Sequence, residues 1–225
     1  MEKLKLKSGD KVLVFMPHPD DEAVFLSGTI RQLIKNEIIV KVVTVTRGEA
    51  STLRYGLKPT DSLAEAREKE LVKVFKILGV TSFDIKSFKD GGLHTQINQL
   101  KKYLSQEINS FSPNMVITLE PDGIYGHSDH ITLSDVVTSL IVPPCRLAYS
   151  TIAEYKHKPK ASHMAIREVN PLKPNIIVKL GLIDKVTKIR CLRCHKTQFN
   201  FKKAQPGDYN FFKANRLLDF EYLVI

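Results

Sequence analysis

The sequence predicts an α/β protein: a Rossmann-like, mostly parallel sheet with helices on both faces. Three observations predict it. Short apolar, β-branched runs alternate with stretches of helical period through the first 140 residues. Runs such as "KVLVFM" and "NMVITLE" are almost continuously apolar, as in strands covered on both faces. Polar residues collect just after these runs, where an open parallel sheet places its ligand sites.

"KVLVFM" (11–16) is short enough for a buried strand. "EAVFLSGTIRQLIKN" (22–36) carries Val24, Phe25, Ile30, Leu33 and Ile34 in a helical stripe. Gly28 inside it costs about 1 kcal/mol against alanine unless close packing needs it. "IIVKVVTVT" (38–46) is β-branched and predicts a strand. A polar loop follows, and then "SLAEAREKELVKVFKILG" (62–79) is the clearest helix, with Gly79 as its stop. "FDIKSF" is a short strand, "DGGLH" a loop, 96–110 a helix and "NMVITLE" (114–120) a buried strand. "PDGIYGHSDH" is a loop that runs into the helix "ITLSDVVTSLI". Such alternation closes by right-handed crossovers into a parallel sheet.

Beyond residue 140 the pattern is less regular. "RLAYSTIAEY" reads as a strand, and 156–175, with Pro159, Pro171 and Pro174, as a loop or lid. "GLIDKVTKIRCLRCHKTQ" is helical, and "FEYLVI" closes the chain as a turn or strand. We expect a single domain over 1–225, with the late segment 156–203 packed on the core.

The totals narrow the class. The chain has 225 residues, 43% hydrophobic and 26% charged, as in a soluble globular protein. No window offers 18 consecutive apolar residues for a membrane span. "MEKLKLKSGDKV" lacks the apolar core of a secretory signal. Three cysteines make no disulfide framework, so a cytoplasmic location is expected. The net charge of +10 is uneven: residues 1–155 are neutral, whereas 156–203 hold 13 Lys and Arg against Glu168 and Asp184. That segment suits an anionic small molecule, a membrane surface or nucleic acid, or is simply a solvated face. Oligomeric state is not legible.

Two polar clusters follow predicted strands: His18-Pro19-Asp20-Asp21-Glu22 and Gly126-His127-Ser128-Asp129-His130. Carboxylates at a helix start also serve as caps and dipole partners, and a lone His-x-x-His is weak evidence. Together the clusters suit one metal ion, since catalytic zinc takes three nitrogen or carboxylate ligands and keeps a position for water. His127 and His130 share a helix face if a helix begins there, so that one can bind metal while the other meets the substrate.

"PHPDDE", "TRGEA" and "YGHSDH" resemble, in order and spacing, the signatures of the PIG-L/LmbE family of metal-dependent N-deacetylases. The likeness runs from about residue 11 to 140, and "KVTKIRCLRCHKTQ" is similar to the family's late helix. It implies a hydrolase that removes the acetyl group from an N-acetylglucosamine-type sugar or glycoconjugate. It implies His18, Asp21 and His130 as metal ligands, most naturally for Zn²⁺, with Fe²⁺ compatible with the same set. Asp20 is then the general base, His127 stabilises the oxyanion, Asp129 orients His127 by a hydrogen bond and keeps it protonated, and the leaving amine takes its proton from Asp20 or His127. Arg47, Glu49, Arg67, Asp122, Tyr125 and His195 are the expected substrate contacts. Arg47 with Glu49 has the simpler account of a loop ion pair, and Arg67 that of an i,i+4 pair on its helix. His94, His157 and His163 are left as surface or loop histidines.

Other classes compete. The same ligands would serve hydrolysis of another amide or of an ester. "CLRCH" matches the c-type haem pattern, but no export signal accompanies it. Cys191 and Cys194 could begin a zinc ribbon on nucleic acid, but a second pair at suitable spacing is missing. No nucleic-acid partner is therefore expected.

Overall fold

A computed structural model describes residues 4–153, 169–200, 212–213 and 215–225. The first predicted strand forms as β1 (Lys11–Met16), and its side chains split between two cores. Val12, Val14 and Met16 enter one cluster, Leu13 and Phe15 the other. A strand that must be apolar on both faces explains the unbroken run in the sequence.

The helical stripe after β1 becomes two helices, α1 (Asp21–Phe25) and α2 (Ser27–Lys35). The break is Leu26, at φ −137° and ψ 1°, outside helical geometry. β2 (Ile39–Thr46) pairs parallel with β1. α3 (Leu63–Leu78) begins at Ser62, whose side chain accepts from the Glu65 N–H, and stops at Gly79 in the left-handed conformation. β3 (Ser82–Phe88) follows, and a 3₁₀ turn at Leu93–Thr95 interrupts the expected loop. α4 (Ile97–Phe111), β4 (Met115–Leu119), the short α5 (Gly123–Gly126) and α6 (Ser128–Leu140) complete the alternating half.

The late chain adds β5 (Arg146–Thr151), β6 (Ile176–Lys179), α7 (Leu182–Cys194) and β7 (Phe220–Val224). β6 falls just past the stretch expected as a loop or lid, most of which lies outside the described residues. β7 runs antiparallel to both β5 and β6. The sheet order is β3-β2-β1-β4-β5-β7-β6. Residues 169–200 of the basic segment thus supply an edge strand and a helix, and 156–168 and 201–203 lie outside the described residues. No helix among the described residues is long and apolar enough to cross a membrane.

The order places β1 between β2 and β4. The chain moves outward from β1 to β3, then returns to the other side of β1. The carboxyl ends of β1 and β4 therefore flank a crevice, the place where open α/β sheets bind ligands. Both polar clusters emerge there.

Gly28 has a packing reason. A Cβ there would lie 2.3 Å from Leu180 Cδ2 and 3.3 Å from Glu221 Oε1. The free N–H groups of Gly28 and Thr29, in the first turn of α2, donate to Glu221 at 2.9 and 2.6 Å. Glu221 also pairs with Lys188 of α7 at 2.8 Å, and both side chains are wholly buried.

Candidate metal centre

Three donor atoms converge at the crevice. His18 Nδ1 lies 3.2 Å from His130 Nε2 and 3.3 Å from Asp21 Oδ2. His130 Nε2 lies 3.5 Å from Asp21 Oδ2. Ligand atoms about 2.0–2.2 Å from a tetrahedral ion are separated by about 3.3–3.6 Å, so this triangle has the dimensions of a three-ligand zinc set. All three side chains are buried.

The triangle is held by its surroundings. The His18 N–H donates to Asp21 Oδ2 at 3.1 Å. The far nitrogen of His18, Nε2, faces Asp90 Oδ1 at 3.0 Å and Asp129 Oδ2 at 3.4 Å. Asp129 also accepts the N–H groups of Gly91 and Leu93, at 2.7 and 3.1 Å. His127 stacks on His130 with ring centroids 4.5 Å apart, and Tyr125 stands 5.4 Å from the same ring. The loop that carries them is strained at Ile124, φ 66°, a conformation that β-branched residues rarely adopt. The buried Glu120 holds this loop by accepting the N–H groups of Asp122 and Ile124.

Charge is unbalanced here. Asp20, Asp21, Asp90 and Asp129 crowd two imidazoles and one guanidinium. Burial opposes a proton on His18, yet Asp129, Asp21 and Asp90 hold it well above its usual range. Burial lowers His130 to about 4 despite Asp21. Burial would raise Asp90 as well, but His18 draws it down to about 2. Burial pushes Asp20 up to about 6, against the pull of Arg67. The surrounding carboxylates thus favour positive charge at this point.

Several expected residues sit differently. Asp20 makes no side-chain cap bond at the start of α1, whereas Glu22 accepts the Asp20 N–H at 3.0 Å. The Asp129 carboxylate, expected to orient His127, is engaged by Gly91, Leu93 and His18. Its backbone N–H instead donates to His127 Nδ1 at 3.2 Å. Arg67 is no surface i,i+4 partner. It is buried and donates to Gly48 O at 2.8 Å and Pro19 O at 2.5 Å, with Asp20 Oδ1 at 3.1 Å. Gly48 must be glycine for this: its φ is +67°, and a Cβ would meet Arg67 Nη1 at 2.1 Å.

Arg47 turns away to Glu68 on α3, not to Glu49. Glu49 is exposed and accepts the Asp90 N–H at 3.1 Å. Asp122 accepts the Asn170 N–H at 2.8 Å. His195 does not line the crevice surface; it is buried against Glu22, Nε2 to Oε1 2.8 Å. With His195 so engaged, Cys191 buried and Cys194 half-buried, "CLRCH" forms neither a haem attachment nor a ribbon. His94 is exposed, and His157 and His163 lie outside the described residues. Asp90 and Glu120 were missed in the sequence. Asp90 had a usable signal, since it stands after the third strand beside two glycines.

A family profile described as GlcNAc-PI de-N-acetylase, PIG-L, matches residues 13–141, more than half of the chain. The chain belongs to the PIG-L family. As a member of this deacetylase family it is a hydrolase. It is 28% identical over 208 residues to a probable N-acetyl-alpha-D-glucosaminyl L-malate deacetylase 2 of Bacillus anthracis, covering 89% of this chain and 86% of that protein. It is 27% identical over 153 residues to a 1D-myo-inositol 2-acetamido-2-deoxy-alpha-D-glucopyranoside deacetylase of a Mycobacterium species, and spans 50% of that protein.

Among solved structures, the N,N'-diacetylchitobiose deacetylase of Pyrococcus horikoshii superposes with a TM-score of 0.69 at 20% identity, covering 96% of this chain and 83% of that one. A 4-carboxy-2-hydroxymuconate hydratase of Pseudomonas putida reaches 0.64 at 16% identity, with 95% of each chain covered. These likenesses establish the fold.

Proposed function

We propose that this PIG-L chain is a metal-dependent N-deacetylase acting on an N-acetylglucosamine-type sugar or glycoconjugate. The observation that carries the reading is the triangle of His18 Nδ1, Asp21 Oδ2 and His130 Nε2, 3.2–3.5 Å on its sides, with Asp20 beside it. These three residues would hold the ion. The nitrogen and carboxylate donors suit Zn²⁺, and Fe²⁺ equally. When bound, such an ion polarises the acetamide carbonyl and lowers the pKa of a water toward about 7.

The chain's own residues do the rest. Asp20 takes the proton of the attacking water and later passes it to the departing amine, so one group serves as base and then acid. Its carboxyl, pushed up to about 6 by burial, can hold that proton near neutral pH. His127 Nδ1 accepts a backbone N–H, which leaves the hydrogen on Nε2. The neutral ring is therefore a hydrogen-bond donor to the oxygen that gains charge. Loss of one such donor costs about 10²–10³ in rate. Asp90 and Asp129 orient His18 by accepting from its Nε2. Tyr125 borders this space and lines the sugar site. The names of the two relatives support a glucosaminyl glycoside as the carrier of the acetamide, and the basic late segment favours an anionic aglycone.

The deciding experiment measures metal content together with amine release from a panel of N-acetylglucosamine compounds, for wild type and Asp20→Ala. We expect about one ion per chain in both, amine from wild type only, and tighter KM at low salt for anionic members. Metal with no amine release would move the reading to other amides or esters. A chain that takes up neither Zn²⁺ nor Fe²⁺ would end the metal reading.

A further inference from the structure

The Pro19–Asp20 peptide is gripped on both sides. Its carbonyl oxygen accepts from Arg67 Nη2, and the Asp20 N–H donates to Glu22 Oε2 at 3.0 Å. The other Glu22 oxygen, Oε1, lies 2.8 Å from His195 Nε2. Glu22 and His195 are fully buried, and Arg67 nearly so. Asp20 itself has φ 132° and ψ −27°, where residues with a side chain are strained and persist only when the surroundings over-determine them.

We propose that Glu22 and His195 are positioning residues that hold Asp20 in this conformation, so that its carboxylate is aimed at the reacting water. The chemistry supports the assignment. A buried carboxylate needs partners for both oxygens. Glu22 uses one oxygen to fix the peptide and the other to dock on His195. His195 is the residue that ends α7. The late helix, far along the chain, thereby closes the clamp on the strand-end motif. Without Glu22 the peptide is free to rotate, and the Asp20 carboxylate leaves its aim while His18, Asp21 and His130 stay in place. The proposal rests on the deacetylase reading only for its kinetic arm.

Two measurements test it. The first needs no substrate: melting of Asp20→Gly and Asp20→Ala in the otherwise native chain and in a Glu22→Ala background. Both variants lose the carboxylate, so their difference reads the backbone strain. We expect the glycine variant to melt about 2–4 °C above the alanine variant, and the difference to vanish once Glu22 is alanine. Equal melting in the native background, or an undiminished difference without Glu22, would overturn the clamp.

The second compares Glu22→Gln, which keeps an acceptor for the Asp20 N–H, with Glu22→Ala, which does not. We expect kcat of Glu22→Ala to fall about 10²-fold below that of Glu22→Gln, as for a misplaced reacting group. KM and the metal content per chain should be shared by the two variants. Equal kcat values, or loss of metal from Glu22→Ala alone, would overturn the positioning role. If wild type releases no amine from any N-acetylated sugar, the deacetylase reading fails while the melting result still decides the clamp.

Discussion

His18 and Asp90 meet through Nε2 and Oδ1 at 3.0 Å, so that a metal held at Nδ1 would leave the imidazole hydrogen on this far nitrogen, donated to Asp90. Nδ1 itself faces the triangle of donor atoms. A carboxylate behind a histidine fixes the tautomer and makes the facing nitrogen more basic. Asp90→Ala is expected to lower metal affinity by about 10–100-fold, read by competition with a coloured chelator. Unchanged affinity would mean that Asp129, at 3.4 Å from the same nitrogen, fixes the ring alone.

Gly28→Ala sets two effects of opposite sign against each other. Alanine is the better helix former by about 1 kcal/mol. Its Cβ, however, would stand 2.3 Å from Leu180 Cδ2 in a buried contact, and overpacking of this kind costs about 1–3 kcal/mol. The carboxylate of Glu221 at 3.3 Å leaves little room to yield. Net destabilisation is expected in urea titration, and Leu180→Ala added to Gly28→Ala should recover part of it.

Much of the fold was legible because its signals are local. "KVLVFM" coincides with β1, Ser62 and Gly79 bound α3, the first polar cluster follows β1 directly, and the second follows β4 after the short α5. What was hidden depends on which loops meet. Asp90 reaches His18 only because β3 ends at the same edge as β1. Arg67 reads as a surface helix charge until the loops after β1 and β2 fold over it. His195 and Glu22 are 173 residues apart, and no spacing rule joins them. Four-residue β6 lies between Pro174 and Gly181, too short for a periodicity to register. Leu26 breaks a helix whose apolar stripe runs through the break, and the stripe alone could not reveal it.

Lys188 and Glu221 are a wholly buried pair that ties α7 to β7 and α2. Removal of one member strands the other charge, at a cost of about 3–5 kcal/mol. Lys188→Met should show that loss in chemical denaturation. Lys188→Met with Glu221→Gln should lose less, since no unpaired charge remains and the amide oxygen can still accept from one of the Gly28 and Thr29 N–H groups.

Lys41 offers a pH test outside the site. Its ammonium lies between Glu107 at 2.6 Å and Asp84 at 3.1 Å. Burial opposes the charge, but the two carboxylates raise its pKa above 10.5. A folded-state pKa above the unfolded one means that the stabilisation is fully present below pH 10.5. It disappears as pH rises through the folded value. Lys41→Met should therefore be less stable than wild type at pH 7. The gap should close in strongly alkaline urea titrations, and a gap independent of pH would point to packing of the alkyl chain instead.

Removal of metal should register as stability, independently of any substrate. An ion that binds the folded chain alone stabilises it by about 2.7 kcal/mol when its free concentration is a hundred times Kd. In the emptied site four aspartates remain crowded, and they hold the His18 pKa above its usual range. Chelator should therefore lower Tm of the wild type, and Zn²⁺ or Fe²⁺ should restore it. The same additions should leave His130→Ala nearly unmoved, because that variant lacks one corner of the triangle. Asp20→Ala is the informative contrast. If Asp20 acts as base and not as ligand, the metal response of Asp20→Ala should match that of wild type. A Tm response lost in Asp20→Ala would make Asp20 a ligand and leave the general base to another carboxylate.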